Sequence, residues 1–229
     1  MKVLILSCNT GGGHNTAAKA IKEVFDEQNI EVEIKDALSF GGQLASDLVC
    51  DSYIEMVKKT PKLFGEIYKM GNKLGAYNAA SEKIRSPVYL INKLYTDDLE
   101  EYILDNKFTV VICTHIFPAE AMSHLKKRHN LQAKFYFVAT DYYCCPMCEE
   151  ILPDAIFVPH KDSIFTYTNK GISSKKLIPT GIPVSQKFVN VMDKMEARSK
   201  VGLKEDDKAF LLMSGSMGFG DIIKTAHSI

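Results

Sequence analysis

The 229-residue sequence has no tryptophan and no net charge, its 28 lysines and arginines being matched by 28 acidic residues. Charge balance removes any global attraction to nucleic acid or another polyanion, so electrostatic function has to come from local asymmetry. No apolar run approaches the roughly 20 residues that cross a bilayer. The apolar start, residues 3–6, is too short for a secretory leader and runs into a glycine loop, so it reads as a buried first strand. The six cysteines, Cys8, Cys50, Cys113, Cys144, Cys145 and Cys148, lack the spread of a secreted disulfide framework, three of them falling within five residues. Reduced thiols and a cytoplasmic location are expected.

Hydrophobic residues make up 46% of the chain and charged residues 24%, enough apolar surface for a sizeable core. Apolar runs alternate with helical periodicity, which points to an α/β fold, a Rossmann-like doubly wound domain on a largely parallel sheet. Strands are expected at 3–7, 30–34, 109–113, 134–139, 155–158 and 177–178. Ala17, Ala18, Ile21, Val24 and Phe25 recur at helical spacing after the first loop. A second helix is expected over 118–128, with Pro118 near its start, and another near 162–169. This first domain spans residues 1–185. A polar, helical linker follows over 186–208, with a turn at 205–208. Residues 209–213 read as a fresh buried strand that runs into a glycine-rich loop, the opening of a second nucleotide-binding domain over 209–229.

A mostly helical insertion, about residues 40–107, interrupts the alternation. Between Met56 and Lys93 there are eight lysines or arginines and two acidic residues. Leu63, Ile67, Met70 and Leu74 share one helical face, with Phe64 and Tyr68 beside it and Lys62, Lys69 and Lys73 flanking it. Two readings fit: an interfacial helix on an anionic leaflet, or a hairpin packed on the sheet with solvated lysines.

The first loop carries Gly11, Gly12 and Gly13 and then His14. Consecutive glycines after a strand permit a tight turn and expose amides at a helix N-terminus. The G-x-G-x-x-G dinucleotide fingerprint fails, because Thr16 stands at the third glycine position. Asp36, at the end of the second strand, imitates a ribose-binding acid only weakly. His14 is placed at the mouth of the cleft formed by the strand ends. There it acts as a general base near neutral pH or simply caps the helix.

Four segments in order resemble the family of processive diacylglycerol glycosyltransferases and plant monogalactosyldiacylglycerol synthases. They are Gly11-Gly12-Gly13-His14, then Thr140-Asp141 with Pro146, then Gly181-Ile182-Pro183-Val184, and finally the loop Gly215-Ser216-Met217-Gly218. The resemblance implies a GT-B glycosyltransferase of two facing Rossmann-like domains, this chain supplying the N-terminal acceptor half. It implies transfer of a sugar from a nucleotide sugar, expected to be UDP-linked, to the hydroxyl of a membrane lipid such as diacylglycerol. His14 would deprotonate that hydroxyl and Asp141 would support the site, with Gly11, Gly12, Gly13, Thr140, Cys145 and Pro146 bordering the acceptor and phosphate loop. Gly215, Ser216, Met217 and Gly218 would belong to the donor side. Membrane contact through Lys62, Phe64, Tyr68, Lys69 and Lys73 becomes the favoured reading of the insertion, at the inner face of the cell membrane. No metal or resident cofactor is expected, since helix N-termini and loop amides stabilise the leaving diphosphate in such folds. No nucleic-acid partner is expected either. Without its donor domain the chain is expected to be inactive.

The sequence departs from that family after Asp141, where Cys145, Pro146 and Cys148 occupy positions of a histidine, the proline and a tryptophan. The Cys145-x-x-Cys148 spacing admits a zinc site completed by His115 or His160, a redox pair, or packing along the cleft. Two alternatives to diacylglycerol transfer remain: a polyprenyl-linked acceptor, and a catalytically silent membrane-binding module.

Overall fold

The computed structural model describes residues 1–9, 12–42, 92, 95–129, 131–215 and 220–229. Most of the charged insertion, with Lys62, Phe64, Tyr68, Lys69 and Lys73, lies outside the described residues, as do Gly11 and residues 216–219.

Six parallel strands form one sheet in the order β2-β1-β3-β4-β5-β6. They are β1 (Lys2–Ser7), β2 (Glu31–Asp36), β3 (Val110–Cys113), β4 (Lys134–Val138), β5 (Ala155–Val158) and β6 (Leu177–Pro179). The strand pairings run through Val3↔Val32, Val3↔Val110, Val111↔Phe135, Phe137↔Ile156 and Phe157↔Ile178. Apolar residues on both sides of each central strand explain why these runs are continuous: a parallel sheet is covered on both faces.

Helix α1 (Gly12–Glu27) lies on one face, packing Ala18, Ile21 and Phe25 against Val3, Ile5, Ile112 and Val138. The alternate strand residues, Leu4, Leu6, Val111, Cys113, Phe135 and Phe137, face the other layer. That layer contains α2 (Thr96–Asp105) and α3 (Ile116–His129), which contribute Leu99, Ile103, Met122 and Leu125. Full burial of each such side chain contributes on the order of 1.5–3 kcal/mol. Pro118 is the third residue of α3, still within the first turn, where its missing N–H leaves no helical bond unmade. Buried Glu120 of α3 accepts from Asn92 Nδ2 at 2.8 Å, and Tyr95 Oη donates to Asn92 Oδ1 at 3.0 Å. This polar trio fastens α3 to the residues just before α2.

The remaining strand ends are held by short elements. A 3-10 turn (Ala37–Gly41) follows β2, and α4 (Ile164–Thr168) lies between β5 and β6. After β6 the chain turns at Gly181, whose φ of +95° is a conformation that side-chain-bearing residues rarely adopt. It then folds back on α1: Ser185 Oγ donates to Glu23 at 3.1 Å and the Gln186 amide at 3.0 Å. The expected helical linker is only partly helical, with a 3-10 turn (Gln186–Phe188) and α5 (Lys194–Lys200) separated by coil.

The strand expected at 209–213 is absent. Those residues are coil, with Phe210, Leu211 and Met213 all more than 70% exposed. An apolar run becomes a strand only when a ladder partner satisfies its backbone, and no sheet edge among the described residues reaches this one. Helix α6 (Ile222–Ala226) does follow, its first turn capped by Asp221, which accepts from the Lys224 amide at 2.9 Å.

Candidate active site

The sheet order reverses between β1 and β3: from β1 the chain continues to β2 on one side, and β3 lies on the other. Connections leaving the carboxyl ends of those two strands diverge, opening a crevice where α/β folds bind ligands. The first turn of α1 stands on one side of it. Thr114 and His115, immediately after β3, and Thr140, just after β4, stand on the other.

His14 bridges this crevice. Its Nδ1 lies 2.8 Å from the backbone oxygen of Thr114 and 3.0 Å from Thr140 Oγ1. A carbonyl oxygen has no hydrogen to give, so Nδ1 carries the proton and donates it, with the Thr140 hydroxyl as a second acceptor. In the neutral ring this leaves the lone pair on Nε2, the arrangement a base needs. His14 is partly exposed.

His115 lies against it, the two rings edge to face with centroids 4.5 Å apart and planes at 82°. His115 Nδ1 accepts from the Phe117 amide at 3.2 Å, and its ring also packs edge-on against Phe117 at 4.6 Å. Burial, and then the proximity of His14, hold the His115 imidazole well below its ordinary range. It therefore stays neutral at physiological pH and forms the dry floor beneath His14.

Asp141 follows Thr140 and is exposed; among the described residues no hydrogen bond joins its carboxylate to His14. Tyr142 and Tyr143, 63% and 70% exposed, continue the same rim. Beyond them the loop is pinned to its surroundings. The Cys144 amide donates to Thr166 Oγ1 at 3.0 Å, and Lys170 Nζ to the Cys145 carbonyl at 2.9 Å. Pro146, Cys144 and Cys148 are buried, and Cys145 is partly so. Side-chain bonds with Cys144 and Cys145, followed by burial, push the Cys148 thiol up. A protonated, buried thiol is a packing group rather than a reactive one.

The two histidines considered as zinc ligands are engaged elsewhere. His115 packs on His14, and His160 accepts from the Asp162 amide at 3.2 Å as the cap of the Lys161–Ser163 turn. Among the described residues, no three His, Cys, Asp or Glu side chains stand in metal-holding geometry.

Of the residues expected from sequence, the fold brings Gly12, Gly13, His14, Thr140 and Asp141 to the same crevice. Gly215 is exposed on the segment beyond the linker, away from any described secondary structure. Thr114 went unnoticed as a site residue, and His115 was considered only as a zinc ligand. The signal was present: they follow β3 as Thr140 and Asp141 follow β4.

The sequence model of the family described as "Monogalactosyldiacylglycerol (MGDG) synthase" matches residues 14–184. The chain is 27% identical over 237 residues to the chloroplastic monogalactosyldiacylglycerol synthase of Spinacia oleracea, covering 100% of this chain and 44% of that one. It is 24% identical over 229 residues to a processive diacylglycerol beta-glucosyltransferase of Bacillus cytotoxicus, covering 95% and 54%. The chain thus spans about half the length of the curated relatives it matches. Among solved structures, the apo lipopolysaccharide outer core galactosyltransferase WaaB matches with a TM-score of 0.47 at 11% identity, over 78% of this chain and 45% of that one.

Proposed function

This chain belongs to the monogalactosyldiacylglycerol synthase family, and from that premise we propose that it forms the acceptor half of a GT-B glycosyltransferase. The donor is a nucleotide sugar, expected to be UDP-linked and bound by a second domain facing this one. The acceptor is the hydroxyl of a membrane lipid of the diacylglycerol class. In the proposed step the acceptor hydroxyl oxygen forms a bond to the anomeric carbon of the donor. The bond from that carbon to the nucleotide diphosphate breaks with its electron pair, and the hydroxyl proton passes to His14 Nε2. Attack opposite the leaving group inverts the anomeric centre.

The observation that carries this reading is the bond from His14 Nδ1 to the Thr114 oxygen at 2.8 Å. It fixes both the tautomer and the aim of the ring, as an orienting partner does for a general base. Stabilisation of the departing diphosphate falls to helix-terminal and loop amides, and no resident cofactor enters the reading.

Membrane contact is assigned to the basic, aromatic-bearing stretch with Lys62, Phe64, Tyr68, Lys69 and Lys73, which places the protein peripherally at the inner leaflet. No helix among the described residues is long and apolar enough to cross a membrane. The test is sugar transfer from UDP-glucose or UDP-galactose to diacylglycerol in vesicles by a protein carrying both halves. Transfer to a polyprenyl phosphate instead would reassign the acceptor. No transfer to either, with vesicle binding retained, would favour a silent membrane module.

A further inference from the structure

The chain leaves the sheet domain through a narrow attachment. The amides of Thr180 and Gly181 both reach the Val158 oxygen at the end of β5, at 3.1 and 3.4 Å, and among the described residues these are its last backbone bonds to the sheet. Beyond Gln186 nearly every described residue is exposed, Phe188, Val189 and Val191 among them. Every further hydrogen bond of that segment, among the described residues, stays within the segment. Two bonds to one side chain hold the root: Ser185 Oγ donates to Glu23 Oε1 at 3.1 Å, and the Gln186 amide donates to Glu23 Oε2 at 3.0 Å.

Glu23 acts here as a cap supplied from elsewhere in the chain. The first amides of a helical turn have no partner within it, and the turn Gln186–Phe188 opens at Ser185, whose hydroxyl caps none of them. Glu23 takes the Gln186 amide with one oxygen and the Ser185 hydroxyl with the other. Bonds to a carboxylate are roughly twice as strong as neutral ones. The neighbouring Lys22 is engaged by Asp26 at 2.7 Å, and Glu23 pairs with no lysine or arginine among the described residues. Its carboxylate is committed to the linker.

The helix that supplies this cap also carries the base. Glu23 follows His14 by nine residues on α1, and at 1.5 Å per residue about 13 Å of continuous helix joins them. We propose that Glu23 is a positioning residue: it clamps the root of the linker to α1 and sets the pivot from which the donor half closes over His14. The proposal rests on the two-domain reading above. Reacting atoms have to approach to about 3–3.5 Å, and a misplacement of about 1 Å costs about 10²-fold. Across a lever of about 20 Å, the scale of one domain, a swing of about 5° displaces the donor sugar by roughly 2 Å. A loosened root therefore reaches the chemistry without touching it, as hinge positions do.

The test has two arms. In the 229-residue chain, Glu23→Ala is expected to lower the backbone order parameters of residues 186–200 while the amide shifts of the sheet stay in place. The Gln186 amide should exchange with solvent about tenfold faster, the effect of one lost charge-assisted bond. In a protein carrying both halves, the same variant should lower kcat and raise the donor KM, each by about three- to tenfold, with acceptor KM and vesicle binding unchanged. Glu23→Gln, which keeps one acceptor oxygen of two, should recover part of both effects. Ser185→Ala should have a smaller effect alone and none beyond that of Glu23→Ala when the two are combined. Unchanged order of residues 186–200 in Glu23→Ala would overturn the clamp, whether or not the unmodified protein transfers sugar. Lost order with unchanged kcat and donor KM would overturn the pivot. Displaced sheet shifts, or no recovery in Glu23→Gln, would make Glu23 a support of α1 alone and overturn the proposal as well. Absence of transfer by the unmodified protein would fall on the acceptor reading, and the order parameters would still decide the clamp.

Discussion

The His14 imidazole is joined through Nδ1 to the backbone oxygen of Thr114 at 2.8 Å, across the point where the order of the parallel sheet reverses. Residues 100 positions apart are thereby fixed by a main-chain group, which no side-chain substitution at position 114 removes. The consequence is that the neutral form of the ring carries its proton on Nδ1. Nitrogen-15 spectra of the imidazoles in this chain should show His14 as the Nδ1–H tautomer, with a pyridine-like Nε2. A dominant Nε2–H form would place the lone pair against a carbonyl and remove the basis for proton abstraction.

His115 predicts a pH dependence of stability. Its pKa in the folded chain lies well below the ordinary 6.5, through burial first and His14 second. Above about pH 6.5 folded and unfolded chains both carry a neutral ring, and the group has no effect. Below it the unfolded chain binds a proton that the folded chain refuses, so stability falls as the pH drops from about 6.5 toward the depressed folded value. Glu33 and Asp154 are also lowered, but from 4.5 and 3.8, so their loss comes at more acid pH. Thermal melts should decline between pH 7 and 5, and His115→Gln should flatten that slope. An equal slope in the variant would mean that His115 is not held neutral.

The thiols give a third test. Cys148 is 1% exposed and Cys144 6%, both within the main core, whereas Cys145 is only partly covered. Under native conditions a thiol reagent should modify Cys145 before Cys144 and leave Cys148 protected until the chain unfolds. Cys148→Ser, which buries a hydroxyl among apolar groups, should cost about 1–3 kcal/mol. Labelling of Cys148 as fast as Cys145 would contradict its place in the core.

Much of the sheet was legible because its strands are nearly continuous apolar runs, and such runs announce burial on both faces without any knowledge of partners. His14 was legible for a similar reason: a glycine loop between a strand and a helix has few other destinations. What escaped the sequence depended on distant partners. Nothing in the sequence marks Glu23, yet it accepts from Ser185 Oγ and the Gln186 amide, more than 160 positions away. Residues 209–213 have the composition of a strand but no neighbouring edge among the described residues, and composition does not report that. Asp36 stood out as an isolated acid, and only the structure supplies Asn9, which donates to it from Nδ2 at 2.8 Å. Asp141 was carried by its neighbours, and the fold leaves it exposed beside the His14 contacts rather than bonded to them.

The basic stretch from Met56 to Lys93 predicts binding to anionic vesicles at low salt, weak binding to neutral ones, and loss of most binding near about 0.5 M salt, where screening is short-ranged. Replacing Lys62, Lys69 and Lys73 with glutamate should abolish the anionic preference and leave the melting temperature nearly unchanged, since solvated charges contribute little to folding. Unfolding of the triple variant would instead make this stretch a packed part of the domain.

Turnover of His14→Ala, in a protein carrying both halves, tests the central claim most directly. The side chain is partly exposed and its loss removes the hydrogen bonds to the Thr114 oxygen and Thr140 Oγ1, about 1–3 kcal/mol of stability, so the variant should fold. Sugar transfer to diacylglycerol should fall by about two to four orders of magnitude, with vesicle binding intact. Turnover within a factor of about three of the unmodified protein, far short of what loss of a general base costs, would contradict the assignment of His14 as the base.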